Sequence, residues 1–387
     1  MSPEVVMTLF LITFFLIYGG MHLYLFAKIR AAFHFSMVTN SGIIILMVIM
    51  VLAPVIVRMS ERYGHEALAC FMSYTGYIWM GVILIFFCAS LLFDIYRFLI
   101  YISSLILHKD FSHLNVSPVM VLVIPLLIAF SINTYGYFEA KNIRTEHITI
   151  TSDKIPASAG RIRVVQISDV HIGLIVRNER LKEIVEAVKK AEPDILVSTG
   201  DLVDGQLNNL EEPSRLLREL QPRYGKFAIN GNHEFFAGIG QAVAFMRDTG
   251  FVVLRGEGLN VAGVINIAGV DDPVGARFGL SKEIPEKTML SELPGQYFTL
   301  FLKHQPVVNG NAAGAFDLQL SGHTHGGQIF PFNLITKLVF PLHAGYFTLQ
   351  NHSHLYVSRG TGTWGPPIRF LSPPEIMVID LIHDEKS

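Results

Sequence analysis

Metal-ligand residues directly follow strand-like runs in the second part of this 387-residue chain, and their order constrains the fold more than any other feature. Each run is short and apolar, and each ends in a polar motif that contains aspartate, asparagine or histidine. The motifs are, in chain order, Asp169-Val170-His171, Gly200-Asp201, Gly231-Asn232-His233-Glu234, His304 and Gly322-His323-Thr324-His325. Because ligands gather beyond the carboxyl ends of parallel strands, these side chains are predicted to meet at one edge of a sheet.

The runs alternate between strand and helix patterns. Residues 180–190 carry apolar side chains at helical spacing, between two runs that have the short, β-branched composition of strands. After Phe251 the pattern changes to several short strands with few helices. The predicted strands cover 161–168, 194–199, 226–230, 297–303 and 316–320. This alternation predicts βαβ units and a sheet whose first strands are parallel.

The motifs together offer two aspartates, one asparagine and four histidines as ligands, with His233 in addition. This set is sufficient for two divalent metal ions that share a carboxylate. The two cysteines, Cys70 and Cys88, both lie in an apolar segment, which excludes a thiolate metal site and a disulfide framework. Nitrogen and oxygen donors suit Mn²⁺, which we favour, and also Fe or Zn²⁺. Such a metal pair is suited to attack of a metal-bound hydroxide on a phosphorus ester.

The first third of the chain is predicted to be a helical membrane region, with a domain boundary in the polar, turn-rich residues 141–160. We therefore expect a transmembrane region over 1–140 and a catalytic domain over 145–387. A cleavable signal peptide is disfavoured because no basic segment precedes the first apolar stretch and further stretches follow it. A buried helical core is the alternative to membrane insertion. Four stretches have the length and apolarity needed to cross a hydrocarbon core of about 30 Å, and they cover about 7–26, 35–57, 67–93 and 117–138.

The run 96–107 either extends the third helix or lies along the membrane interface.

The placement of charged residues predicts the location of the protein. The three connecting loops carry equal numbers of basic residues, but the first, with Lys28 and Arg30, has no acids, which favours its placement in the cytoplasm and the catalytic domain on the outer face. We expect a multi-pass protein of a bacterial cell membrane, whose spans lack central charges and therefore act as an anchor. The net charge of −2 predicts no nucleic-acid-binding surface, and the oligomeric state stays open.

The motifs also carry a family resemblance. Over about 145–387 the sequence resembles the calcineurin-like metallophosphoesterases, and more narrowly their membrane-linked branch typified by the YkuE and YaeI phosphoesterases. The four-span region is similar to that of transmembrane metallophosphoesterases. The resemblance implies an α-helical membrane bundle followed by an α/β domain built as an α/β/β/α sandwich. It rests on the stretches 167–171, 200–204, 231–234, 269–273, 321–328, 358–362, 366–369 and 374–375.

The resemblance implies two metal sites that share one ligand, Asp201. One metal would be held by Asp169, His171, Asp201 and His325, and the other by Asp201, Asn232, His304 and His323. Taken singly, each motif has an ordinary alternative. A lone His304 is more often a core or surface histidine, and Gly-His-Thr-His is also found as a turn with exposed imidazoles.

Catalytic roles also follow from the resemblance. Besides Asp201, we expect His233 to be catalytic, and to donate to a phosphoryl oxygen or to protonate the leaving group. Asp204 and Glu234 are candidate acceptors that orient histidines, and a solvated surface carboxylate is the alternative for each. Trp364 either lines the substrate cleft or packs in the core, and core packing is the default expectation.

Two function hypotheses follow. The first is a membrane-anchored, dimetal-dependent phosphoesterase that hydrolyses a phosphodiester, pyrophosphate or phosphomonoester, with a substrate that is lipid-linked in one version. The second is a non-catalytic membrane sensor or binding module that recognises a phosphate-containing ligand at the metal site. Loss of ligands would be the signature of the second hypothesis, and the metal motifs show none.

Overall fold

The computed structural model describes residues 3–205, 210–282 and 284–384. The chain divides into two compact units. The first contains the chain up to Phe138 together with the segment Gly365–Phe370. The second contains Glu139–Trp364 together with the residues from Leu371 onwards. The chain therefore leaves the second unit after Trp364 and returns to it at Leu371.

Long apolar helices form the first unit. By length and composition, the helical segments Leu11–Ala32, Glu66–Leu107 and Ser112–Glu139 are able to cross a membrane. A pair bent by 55°, Met37–Val51 with Ala53–Arg62, raises the number of candidate spans to four if it counts as one. The helices are α1 (Pro3–Ala32), α2 (Met37–Val51), α3 (Ala53–Arg62), α4 (Glu66–Leu107) and α5 (Pro118–Glu139).

Two details of this unit refine the sequence-based prediction. The stretch 35–57, predicted as one span, is broken at Leu52, because Pro54 lies in the first turn of α3 and cannot donate the backbone hydrogen bond that would continue α2. The third helix runs to Leu107, so the run 96–107 extends it, as one of the two alternatives predicted. Asp94 consequently lies inside α4, where it forms an ion pair with Lys28 of α1 at 2.5 Å.

Two six-stranded sheets form the second unit. In the first sheet the order is β1-β12-β2-β3-β4-β5, and in the second it is β10-β11-β9-β8-β7-β6. The strands β2 to β5 are mutually parallel, as are β7, β8, β9 and β11. The strands are β1 (Arg144–Ser152), β2 (Arg161–Ile167), β3 (Ile195–Ser198), β4 (Lys226–Ala228), β5 (Phe251–Val253), β6 (Glu257–Val261), β7 (Ile265–Gly269), β8 (Thr299–Leu302), β9 (Leu318–Ser321), β10 (Gly345–Thr348), β11 (His354–Val357) and β12 (Glu375–His383).

Helices cover the outer faces of both sheets. Side chains alternate along β2, so that Val164 faces the apolar core between the sheets and Val165 faces the core beneath α6. On the other side, Met289 and Leu290 of α11 pack against Phe301 of β8. The predicted α/β/β/α sandwich and its parallel start are thus confirmed. The helices are α6 (Asn178–Lys190), α7 (Glu211–Arg218), α8 (Asn232–Ala237), α9 (Ile239–Asp248), α10 (Val274–Arg277), α11 (Glu286–Ser291) and α12 (Phe332–Val339).

Candidate metal centre

The loops that follow β2, β3 and β4 in the first sheet, and β8 and β9 in the second, bring the predicted ligands together. Three groups of side chains place their ligand atoms within 4.8 Å of one another. The groups are Asp169 with His171 and His325, His171 with Asp201 and His233, and Asp201 with His304 and His323. Because His171 and Asp201 each belong to two groups, the three form one continuous centre.

One half of the centre lies around His171. Its Nε2 atom is 3.1 Å from Nε2 of His325 and 3.9 Å from Oδ2 of Asp201. His325 Nε2 is in turn 3.5 Å from Oδ1 of Asp169. All four side chains are buried. Four buried donors thus converge, as the ligands of a metal ion do.

The other half lies around His304. Its Nε2 atom is 3.2 Å from both Asp201 Oδ2 and Asn232 Oδ1, and 3.3 Å from Nδ1 of His323. Its Nδ1 atom donates to the carbonyl oxygen of Thr199 at 2.7 Å. Since a carbonyl can only accept, Nδ1 keeps its proton and Nε2 is the nitrogen available to a cation. A histidine ligand typically has this arrangement.

Burial and neighbouring charges shift the pKa values of the ligands, and at His304 the surrounding carboxylates, led by Asp201, outweigh burial and raise the pKa of the imidazole. Burial raises the pKa of Asp169 to about 6. Burial acts in the same direction on Asp201, but the surrounding histidines, led by His304, outweigh it and hold its pKa well below the usual value. Burial lowers the pKa of His171 to about 4 and that of His323 to about 3. These two imidazoles are therefore neutral near pH 7 and have lone pairs for a metal ion.

The backbone at the ligands is strained. For residues other than glycine the left-handed region is unfavourable, and such conformations cluster at functional sites. Backbone hydrogen bonds hold the strained loops, with Asp169 N donating to Gly200 O at 3.0 Å and His171 N donating to Asp201 O at 3.0 Å. The ligand residues with positive φ are Asp169 (52°), His171 (55°), Asp201 (52°), His323 (71°) and His325 (50°).

Glycines allow these loops to approach closely. A Cβ atom on Gly322 would overlap Ser168 Oγ and Asp169 Oδ2. A Cβ atom on Gly231 would overlap Asp201 Oδ1. The glycines in the motifs are thus required by the packing of one ligand loop on another, which the sequence indicates only as a tendency towards tight turns.

Glu234 connects two ligand loops. Its buried carboxylate accepts the backbone N–H groups of Asp201 at 2.9 Å, Val203 at 3.1 Å and Gly231 at 2.7 Å. The expectation that Glu234 orients a histidine is therefore wrong. The residue lies in the first turn of α8, and its side chain reaches back to the unpaired N–H groups there, as in a capping box.

Asp204 orients His233, as expected. Its Oδ1 atom lies 2.7 Å from Nδ1 of His233, whose side chain is 12% exposed. The ring centroid of His233 lies 4.6 Å from that of His171, and its backbone N–H donates to Asp201 Oδ1 at 2.8 Å. His233 therefore borders the centre while one of its nitrogens is already engaged.

Comparison with known proteins identifies the family. Residues 162–327 match the family model described as calcineurin-like phosphoesterase. An uncharacterized metallophosphoesterase from Aquifex aeolicus is 38% identical over 257 residues, which cover 66% of this chain and 98% of that protein. The chain belongs to the calcineurin-like metallophosphoesterase family. It is accordingly a metal-dependent phosphoric ester hydrolase.

Relatives of this metallophosphoesterase include proteins of the predicted branch. The uncharacterized metallophosphoesterase YkuE of Bacillus subtilis is 36% identical over 262 residues, covering 64% of this chain and 89% of that one. A transmembrane protein with metallophosphoesterase domain from Danio rerio is 31% identical over 276 residues, covering 67% of this chain and 62% of that protein. Together with the apolar helices, the transmembrane relative from Danio rerio identifies a membrane protein.

Exposed aromatic rings border the metallophosphoesterase centre next to His233. The Trp364 ring lies 5.9 Å and the Phe236 ring 5.6 Å from the His233 ring. Trp364 is 51% exposed, so the expectation that it packs in the core is wrong. Two hydrogen bonds between its backbone and the side chain of Gln328 hold it in place. Its neighbours Gly362 and Gly365 are the sequence signal that this residue lies in a surface loop.

Proposed function

We propose that the protein is a membrane-anchored, dimetal-dependent phosphoesterase that acts on a phosphodiester or pyrophosphate bond in preference to a protein phosphate. The observation that carries the proposal is the convergence of two donor groups on the shared carboxylate of Asp201. The alternative, a binding module without turnover, is not favoured by any feature of the described residues, because every predicted ligand lies in the centre.

The proposed ligand sets follow the two halves of the centre. Each set combines oxygen and imidazole donors, which favours Mn²⁺ and permits Fe or Zn²⁺. Asp201 would contribute to both sets, since its carboxylate lies near the histidines of both halves. Asp169, His171, Asp201 and His325 would hold one metal, and Asp201, Asn232, His304 and His323 would hold the other.

The residues around the centre have separate roles in the proposed reaction. Two bound metal ions supply a nucleophile from water and neutralise charge on the phosphate oxygens. The carboxylate of Asp204 fixes His233 through Nδ1, which leaves Nε2 to donate to a phosphoryl oxygen or to the leaving group. The exposed rings of Trp364 and Phe236 form an apolar border beside that imidazole, against which the organic part of a diester would pack.

The membrane helices are proposed to anchor this unit at a bacterial cell membrane as a multi-pass region, with catalysis on its outer face. The orientation follows from the basic residues Lys28 and Arg30 at the end of α1 and the absence of acids before α2. The anchoring role follows from the scarcity of acidic and basic residues within the candidate spans. A lipid-linked substrate would give this anchor a purpose.

Hydrolysis by the purified full-length protein tests the proposal. Bis-p-nitrophenyl phosphate and p-nitrophenyl phosphate are supplied with Mn²⁺, Zn²⁺, Mg²⁺ or EDTA, and we expect metal-dependent turnover that is faster with the diester. Asp201→Asn should lower turnover about a hundredfold or more, whereas Asp153→Asn, at an exposed position, should not. Absence of turnover with every metal, in protein that binds two ions, would favour the binding module.

A further inference from the structure

Helix α12 presents an apolar surface to solvent. None of its eight residues is buried. A helix of a globular domain normally buries one apolar stripe against the core, and a contiguous exposed patch marks an interaction site. The exposed apolar side chains of α12 are Phe332 (46%), Leu334 (56%), Ile335 (55%), Leu338 (83%) and Val339 (66%).

Contacts at both ends attach α12 to the metal centre. At its beginning, a Cβ atom on Gly327 would overlap the Cα atom of Asn333, so the helix lies directly against the turn that follows His325. After its end, the Phe340 ring lies 5.2 Å from the ring of His323. Helix α12 is therefore held beside the metal centre at both ends, while its exposed apolar side chains make neither contact.

Charge and length indicate what covers this surface. No Asp or Glu occurs between Asp317 and Glu375, and the exposed charge on α12 is the cation Lys337. A basic residue among exposed apolar side chains is complementary to an anionic phospholipid surface. At eight residues the helix is about 12 Å long, too short to cross a bilayer but long enough to lie within its interface.

We propose that α12 is an interfacial helix that inserts its apolar side chains into the surface of an anionic phospholipid bilayer and holds the metal centre there. The chain is a membrane protein, so such a surface is always nearby. One consequence of the inference rests on the proposed function: an amphiphilic phosphate ester enters the centre directly from the lipid. The lipid contact itself does not require turnover.

A spin label on α12 tests the lipid contact. The full-length protein, with Cys70→Ser and Cys88→Ser, carries a nitroxide at Leu338→Cys and is reconstituted in phosphatidylcholine–phosphatidylglycerol vesicles. We expect the label to be accessible to oxygen and several-fold less accessible to a water-soluble nickel chelate than the matched label at Lys190→Cys, an exposed position on α6. Equal nickel access at both positions would overturn the proposal. Low access of both reagents at position 338 would also overturn it, in favour of a protein contact.

A negative charge introduced on the apolar surface of α12 tests the consequence separately. Leu338→Glu should lower kcat/KM about tenfold or more for a p-nitrophenyl phosphodiester of diacylglycerol in vesicles, since burial of one leucine in lipid is lost. Turnover of bis-p-nitrophenyl phosphate should stay within about twofold of the parent protein. Val252→Glu, at an exposed position of β5, is the matched control. Equal losses with both substrates, or no loss with either, would contradict lipid entry, while the spin-label result would stand independently.

Discussion

Asp201 is the residue on which the two halves of the metal centre depend. Its Oδ2 atom lies between Nε2 of His304 and Nε2 of His171, and its Oδ1 atom fixes the backbone of His233. In the proposed ligand sets a carboxylate in this position would serve two cations, and its hydrogen bond also fixes the backbone of the neighbouring histidine. Asp204 has a different role, because its hydrogen bond to His233 orients that ring from outside the centre. The two aspartates are thus separable by mutation.

Replacement of His233 should strongly lower turnover without loss of the bound metal ions. In His233→Gln we expect kcat to fall about 10²–10⁴-fold, the usual contribution of a general acid, since Nδ1 of His233 is engaged by Asp204. Metal analysis of the purified variant should still find two ions per chain. Loss of one ion would show that His233 is a ligand, as its place in one donor group permits.

Asp204→Asn is the companion variant. Because Asp204 acts through His233, we expect a fall of about 10–100-fold in kcat, with KM and the metal content unchanged. A larger loss than in His233→Gln, or a change in metal content, would assign Asp204 a direct role in the centre.

Gly322 is predicted to tolerate no side chain. Gly322→Ala brings a methyl group into Ser168 and Asp169, and overpacking of this kind costs about 1–3 kcal/mol. We expect Tm to fall by about 3–10 °C, together with metal content. Gly310→Ala is the control, because a Cβ atom there meets open space. Equal unfolding temperatures for the two variants would refute the close approach of the ligand loops.

At the scale of elements, the ligand loops are connected by the first turn of α8. Glu234 accepts N–H groups from the loop after β3 and from the loop after β4, so one side chain fixes the distance between Asp201 and Asn232. The short helix thereby has a role in the geometry of the centre beyond its own packing.

Glu234→Gln tests this connection. The amide keeps one acceptor oxygen but turns an NH₂ group towards backbone N–H donors, which leaves buried groups unpaired at a cost of about 1–3 kcal/mol. We expect a lower Tm and weaker Mn²⁺ binding by calorimetry. Glu179→Gln, whose carboxylate is 88% exposed on α6, should change neither. Unchanged Mn²⁺ affinity in Glu234→Gln would show that the two ligand loops keep their spacing without the carboxylate of Glu234.

The elements that the sequence predicts well are those with strong local patterns. Strands β2 and β3 alternate between two buried faces, and each precedes a polar motif, so both their extent and the position of Asp169 and Asp201 follow from the sequence.

The bend before α3 does not follow from Pro54 alone, because α5 continues through Pro125. The exposed position of Trp364 does not follow either, because it depends on the contact with Gln328 in the folded chain. The role of Glu234 was missed because a buried carboxylate that accepts backbone N–H groups has the same sequence signature as one that orients a histidine.

For the whole molecule, the division into two units separates the chemistry from the membrane helices. Every predicted ligand belongs to the second unit, whereas Gly365–Phe370 belongs to the first. This segment directly follows Trp364, which borders the centre. A fragment cut from the chain at 145 would keep Gly365–Phe370 but lose the helices that belong to the same unit as this segment.

Metal removal should loosen the second unit and leave the first unchanged. Without cations the buried carboxylates of Asp169 and Asp201 repel each other. The loops that contain the residues with positive φ also lose the metal ions that hold them. In hydrogen exchange of the full-length protein we expect EDTA to lower protection about a hundredfold in the loops after β2, β3, β8 and β9, the effect of losing a metal present at about 100 times its Kd. Amides of α1 and α4 should not change.

The variant Asp201→Asn provides the control for this measurement, because its centre binds metal weakly from the start and EDTA should then alter exchange little. An equal loss of protection in both units would show that the metal centre stabilises the molecule globally. No loss in the loops would show that the strained backbone at His171 and His323 is held by protein contacts alone. Of these outcomes, only a local loss agrees with a centre whose loops depend on the cations that they bind.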